Sequence, residues 1–299
     1  MYPDCSINRD DTFRERVPAV KGSRPQTGRA PDGEVREGSP LSTTHIRPQV
    51  IYKLGSSILK STKGEKMAPK GGGIRGSVSG FSKQSRHRLM VTIGGIRRDA
   101  ELPSFVTLTY PCEYPTVARA KRDLKIFLQR LNRKFEKAGL IWKLEPQQRG
   151  APHYHLLVWG IDNAILFGWV LKNWHEIAGN GDRNHYLFHA GLLPESQKCV
   201  TKVYSFKGVW SYASKYLGKT FDVAQWGQKW TGRFWGIINR ENIPFGEEVT
   251  FETSIHEVIN LMRFQRRFSG IKRAHGNSLT IFCDADQWIQ KLNIQVITT

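Results

Sequence analysis

Cysteine is scarce in these 299 residues and never closely spaced: Cys5, Cys112, Cys199 and Cys283 stand far apart. With no C-x-x-C pair, neither a zinc ribbon nor a disulfide framework is indicated. Thinly spread thiols and no secretory signal suit a reducing cytosol. Long apolar runs are also missing. Nothing approaches the ~18 residues that a membrane span needs, so a soluble, intracellular protein with no membrane partner is expected. Repeats and heptads are absent. Gly218-Lys219-Thr220 superficially matches the end of a phosphate loop, but the glycine required five places before Gly218 is Ala213. Without a Walker motif the chain holds no built-in nucleotide-driven motor.

Acidic residues are in deficit. Lys plus Arg number 45 against 26 Asp plus Glu, a formal net charge of +19. A surplus that large favours polyanionic partners, above all nucleic acid, and says nothing about chemistry. Residues 1–85 mix Pro, Gly, Ser and charge in stretches such as KGSRPQTGRAPDGEVREGSP and KGGGIRGSVSGFSK, with one short apolar cluster from Val50 to Leu59. A segment this polar buries too little surface to offset its ordering entropy, which predicts a disordered basic N-terminal arm.

From Arg88 onward the pattern changes. Leu89–Gly94 and Ser104–Tyr110 read as strands, and Thr116–Lys137 shifts to a helical period. Leu124, Phe127, Leu128, Leu131 and Phe135 share one face of that helix, with basic residues around the rest. Ile141–Pro146 and His153–Gly160 form strands joined by the turn QQRGAP. A helix is expected over Ala164–Ile177, a loop after it, a strand around Cys199–Ser205 and a helix over Gly208–Lys219. The order is that of an α+β fold, an antiparallel sheet with helices packed on it. Strand-helix units at 248–252, 254–268, 278–283 and 285–292 follow. The expected division is an arm (1–85), a central domain (86–240) and a C-terminal extension (241–299).

His153 and His155 are two apart in a strand, so both imidazoles project from one face. Two imidazoles so placed can bind one divalent ion. An arbitrary H-x-H more often marks surface histidines, but Glu145 on the preceding strand is brought beside the pair by the hairpin. Two His and one carboxylate, with positions left for water and phosphate, suit Mg²⁺ or Mn²⁺. The alternative for Glu145 is an exposed charge paired with Arg149. Further on, Tyr212-Ala-Ser-Lys215-Tyr216 puts two phenols one helical turn apart, with Lys215 and Lys219 on an adjoining face. A phenol with its ordinary pKa of ~10 is a poor nucleophile, and nearby ammonium groups improve it. Packing tyrosines with solvated lysines is the plainer reading of that helix.

Taken together, FVTLTY, then E-P…G-A-P-H-Y-H-L-L-V-W, then Y-A-S-K-Y-L-G-K resemble the three ordered motifs of HUH rolling-circle replication initiators. The likeness is closest to the replication-associated proteins of small single-stranded DNA phages and related plasmids. It covers residues 88–240, and Gly232–Gly236 (GRFWG) adds to it. The resemblance implies a ferredoxin- or RRM-like sheet carrying Glu145, His153 and His155 as ligands of Mg²⁺ or Mn²⁺, crossed by the tyrosine helix. It implies that Tyr212 and Tyr216 are the nucleophiles that nick single-stranded origin DNA and form a 5′-phosphotyrosine. Lys215 would stabilise phosphate or phenolate, and Lys219 and Arg149 are the candidate DNA contacts. Rejoining would need no nucleotide cofactor. A host or accessory helicase and a DNA polymerase would be the partners, in the cytoplasm of a bacterial host. Two rivals stand beside this reading: an HUH transposase or mobilisation relaxase, and a non-catalytic single-stranded nucleic-acid-binding protein.

Overall fold

A computed structural model describes residues 47–64, 80–194, 196–207, 209, 221–222, 232–269, 278–282 and 284–291. All of these lie in one unit, residues 45–299. The elements in chain order begin with strands β1 (Gln49–Lys53), β2 (Leu59–Thr62) and β3 (Gly80–Phe81), then helix α1 (Lys83–Gly94). Next come β4 (Ser104–Leu108), α2 (Val117–Lys134), β5 (Gly139–Pro146), β6 (Pro152–Trp159), α3 (Asn163–Trp174), α4 (Arg183–Ala190) and β7 (Val200–Lys202). The last are β8 (Phe221–Asp222), β9 (Trp235–Ile238), β10 (Glu248–Glu252), α5 (Ile255–Ser269), β11 (Ser278–Ile281) and α6 (Ala285–Lys291).

The fold is α+β, as the element order predicts. Its main sheet has five antiparallel strands in the order β7-β4-β6-β5-β9. Taking β4, β5, β6 and β7 as first to fourth, the order is 4-1-3-2, the split βαβ arrangement of ferredoxin-like folds. The GRFWG segment contributes the start of β9, an edge strand on β5. Strand residues alternate faces, and the two faces of β6 differ in chemistry. Tyr154, Leu156 and Val158 point to the side covered by α2 and α3, where the Trp174 ring meets Tyr154, Phe127 and Tyr110 at centroid separations of 6.3, 5.8 and 5.3 Å. The other face carries His153 and His155.

Helix α2 forms where the sequence predicts it, because its apolar residues recur at helical spacing. Thr116 caps it by accepting from the Arg119 N–H, and Val117, Ala120, Leu124, Phe127 and Leu131 are buried. Asp123 is buried with them and is satisfied by Arg119 at 2.8 Å and the Tyr110 hydroxyl at 3.1 Å.

Three expectations are corrected. Leu89–Gly94 is not a strand but the second half of α1, capped by Ser82, with Leu89, Met90 and Ile93 buried along one side. Six residues of LMVTIG are too few to separate the two periods. The loop expected after α3 contains a turn of π-helix, His175–Gly179, and then α4. Asp182 caps α4 by accepting from the Asn184 and His185 N–H groups, and Gly191 ends it at φ 71°. Finally, residues 49–62 lie within the arm expected to be disordered, yet they form β1 and β2. Both strands belong to a four-stranded antiparallel sheet in the order β10-β1-β2-β11. Local composition failed there because the partners come from residues 248–281. This sheet has its own core, in which Tyr52, Leu59 and Phe251 pack with Val258, Leu261 and Met262 of α5.

Cys199 is buried and unbridged, and Cys5 and Cys283 lie outside the described residues. Among the described residues, no helix is long and apolar enough to cross a membrane.

The frame beneath the main sheet should be sensitive to volume. Phe127 is fully buried between Trp169 and Trp174. Phe127→Ala is expected to cost ~3–5 kcal/mol in urea unfolding. Ile165→Ala, at a side chain 60% exposed, should change stability by no more than ~0.5 kcal/mol.

Candidate metal centre

The centre is built on the β5–β6 hairpin. Its register sets Glu145 opposite His153 and Lys143 opposite His155, so all four side chains stand on one face of the sheet. The connection closes tightly: Gln147 N–H donates to the Ala151 carbonyl at 2.9 Å and Gly150 N–H to the Gln147 carbonyl at 2.8 Å. Gly150 takes φ 81°, in the left-handed region that favours glycine.

Glu145 is the hinge of the group. Its Oε1 lies 2.8 Å from His155 Nε2, and its Oε2 accepts from Lys143 Nζ at 2.9 Å. The His153 and His155 rings meet edge to face at 4.4 Å, and Phe105 of β4 stacks on His155 at 5.3 Å. Burial alone would raise the Glu145 pKa. The His155 hydrogen bond and the charges of His155, Lys143 and His153 outweigh it and hold the carboxyl down at about 2. The carboxylate is therefore ionised across the physiological range. Burial, and then the charge of His155, push the His153 pKa well below the ordinary imidazole value. Near neutral pH His153 is thus a neutral imidazole, the form that ligates metal.

One donor atom from each of Glu145, His153 and His155 falls within 4.8 Å of the others. Two imidazole nitrogens and one carboxylate oxygen that close together fit a divalent ion, and the number of oxygen donors is small enough to leave positions open. The fold brings together the three side chains singled out from the H-x-H spacing and the hairpin. Glu145 pairs with Lys143 and His155 in place of Arg149.

Arg149 is engaged elsewhere. Its guanidinium donates to the main-chain carbonyls of Tyr110, Pro111 and Cys112 at 2.7, 2.8 and 3.3 Å and to Gln147 Oε1 at 2.9 Å, and it lies over the Tyr114 ring. These contacts tie the β5–β6 turn to the segment after β4. Arg149, the candidate DNA contact, is exposed and serves as a clasp in the fold. Tyr212, Lys215, Tyr216 and Lys219 lie outside the described residues.

Two groups escaped sequence reasoning. Lys143 is fully buried beside Glu145. The available signal was a lysine facing the same way as a carboxylate in the otherwise apolar strand IWKLE. The second group is the histidine pair of α4. The Thr109 main-chain N–H donates to His189 Nε2 at 3.2 Å, so that nitrogen carries the lone pair. His189 Nδ1 then bears the hydrogen and donates to the His185 carbonyl at 3.1 Å. His185 Nε2 donates to the Thr109 carbonyl at 3.0 Å. With both its nitrogens used, His189 is structural: it fixes the end of β4 to α4.

Residues 103–221 match the replication-associated protein ORF2 family. No curated protein and no solved structure matches the chain. The span matched to this family is less than half of the chain and includes Glu145, His153 and His155. It supports a role in replication initiation and, with it, association with DNA.

The buried histidines make the fold acid-sensitive. Burial and then the nearby His185 lower the His189 pKa from 6.5 to about 3. An unfolded chain takes up this proton below about 6.5 and the native one only below about 3. The stabilisation is therefore complete above pH 6.5 and is lost as pH falls towards 3, a loss of roughly 2 kcal/mol at pH 5. Urea unfolding at pH 7.5 and 5 should show His189→Gln less stable than wild type at pH 7.5 yet losing less on acidification. An equal loss in both proteins would assign the acid sensitivity to other groups.

Proposed function

We propose that the protein is a replication initiator endonuclease. It nicks single-stranded origin DNA through a tyrosine and rejoins the strand in rolling-circle replication, as an HUH protein of the two-tyrosine type. The observation that carries this is the Glu145–His153–His155 group, set on a central hairpin within the span that matches replication-associated proteins.

Ionised Glu145 and the imidazoles of His153 and His155 would hold Mg²⁺ or Mn²⁺. Such an ion, when bound, supplies polarisation of a phosphodiester oxygen. Tyr212 or Tyr216 provides the nucleophile. The phenol oxygen forms a bond to phosphorus, the bond from phosphorus to the 3′ oxygen breaks, and the phenol proton ends on the released 3′-hydroxyl. The 5′ end stays on the enzyme as a phosphotyrosine. Lys215 steadies the phenolate or phosphate charge, and Lys219 contacts the DNA backbone. Because the covalent link conserves the phosphodiester, the reverse reaction rejoins the strand without a nucleotide cofactor. The free 3′-hydroxyl is a primer for a DNA polymerase. Unwinding falls to a host or accessory helicase in the bacterial cytoplasm.

Incubation with Mn²⁺ and single-stranded oligonucleotides tiling the DNA that encodes the protein should give a covalent adduct on a denaturing gel. EDTA, His153→Ala with His155→Ala, or Tyr212→Phe with Tyr216→Phe should each abolish it. An adduct that survives loss of both tyrosines would move the nucleophile elsewhere. Binding without cleavage of any oligonucleotide would make the protein a single-stranded DNA-binding module.

A further inference from the structure

The metal-binding group has a fixed positive charge built into it. Lys143 has no solvent exposure, its Nζ rests on Glu145 Oε2 at 2.9 Å, and it lies over the Phe81 ring with 4.7 Å to the centroid. A lysine usually carries its head group to water along its flexible stem. This one is held within the sheet, opposite His155, by the register of β5 on β6. Being fully buried, it is not placed to touch a DNA phosphate. Its ion pair is with Glu145, and through that carboxylate it acts on whatever the centre holds.

We infer that Lys143 balances the charge of Glu145 so that the centre holds a divalent cation firmly only together with a substrate phosphodiester. This rests on reading Glu145, His153 and His155 as the metal ligands. The carboxylate that would meet the ion already has the Lys143 head group 2.9 Å from its Oε2, inside the protein. A dication entering there meets a carboxylate whose charge is already offset, and burying a charge so poorly countered is unfavourable. The phosphodiester brings the missing negative charge as a further oxygen ligand. A second observation raises the same threshold: both Glu145 oxygens are already engaged, Oε1 with His155 and Oε2 with Lys143. Metal entry must part Glu145 from His155 before either can serve. Ion and DNA therefore bind as a pair, and each strengthens the other by the same factor. Lys143 is a positioning residue that keeps the centre weakly occupied until the strand is in place.

The test is a Mn²⁺ titration of the full-length protein followed by EPR of the free ion, with and without a single-stranded oligonucleotide cleaved in the adduct assay. Tyr212→Phe with Tyr216→Phe keeps that strand intact during the measurement. The oligonucleotide should tighten Mn²⁺ binding about tenfold or more, with Mn²⁺ tightening the oligonucleotide equally. Without DNA, Lys143→Met should bind Mn²⁺ about tenfold more tightly than the lysine protein, because the repelling charge is gone. If Lys143 merely propped Glu145 in place, Lys143→Met would bind Mn²⁺ more weakly, and the proposal would be overturned. Tight Mn²⁺ binding that needs both histidines but ignores the oligonucleotide also overturns it, while leaving the metal centre intact. Mn²⁺ binding that survives His153→Ala with His155→Ala removes the centre itself and the proposal with it. The DNA-dependence is read on a protein that retains Lys143, so it decides the matter even if Lys143→Met does not fold.

Discussion

The pairing of β5 with β6 is the constraint on which everything else depends. Because side chains alternate along a strand, a slip of one residue in this hairpin would turn Glu145 away from the histidines and bury it among the Trp174 and Phe127 rings. What prevents the slip is the chemistry of the two faces. Leu144, Tyr154 and Leu156 have an apolar layer to enter, whereas Glu145 pairs with His155 and Lys143 on the other face. The turn adds to this through its own hydrogen bonds and the Arg149 clasp. The candidate metal centre is thus a consequence of core packing on the far side of the sheet.

A second point of convergence fixes the neighbouring strand. The Thr109 carbonyl, just past β4, accepts from Trp174 Nε1 at 2.6 Å and from His185 Nε2 at 3.0 Å, while its N–H donates to His189. The carbonyl and the N–H of one residue are thereby both used by α3 and α4. Phe105, four residues back, stacks on His155. The helices therefore position, through β4, a ring that bounds the centre.

Much of this was legible because it repeats at short range. The H-x-H spacing, the β-branched and aromatic run from Phe105 to Tyr110 and the apolar stripe of α2 each declare their period within a few residues. The places that misled are those where the deciding partner is remote. β1 and β2 lie in a segment that is polar as a whole, and they pair with β10 and β11 from roughly 200 residues away in sequence. Helix α4 hides in a run of Gly, Asn and Asp, although Asp182 and Gly191 bracket it with an ordinary cap and stop. Lys143 draws no notice in the sequence until the register puts it against Glu145. The carboxylate and the histidines were found by pattern, and the cation that balances them required the fold.

The central claim is that Glu145, His153 and His155 together ligate one divalent ion. Mn²⁺ bound in the presence of single-stranded DNA can be examined directly by pulsed EPR, or by anomalous scattering from crystals of the same complex. The account predicts one ion with two imidazole nitrogens and a carboxylate oxygen in its coordination sphere, and loss of the nitrogen couplings in His153→Ala with His155→Ala. An ion held without histidine nitrogen, or at another place on the protein, would contradict it.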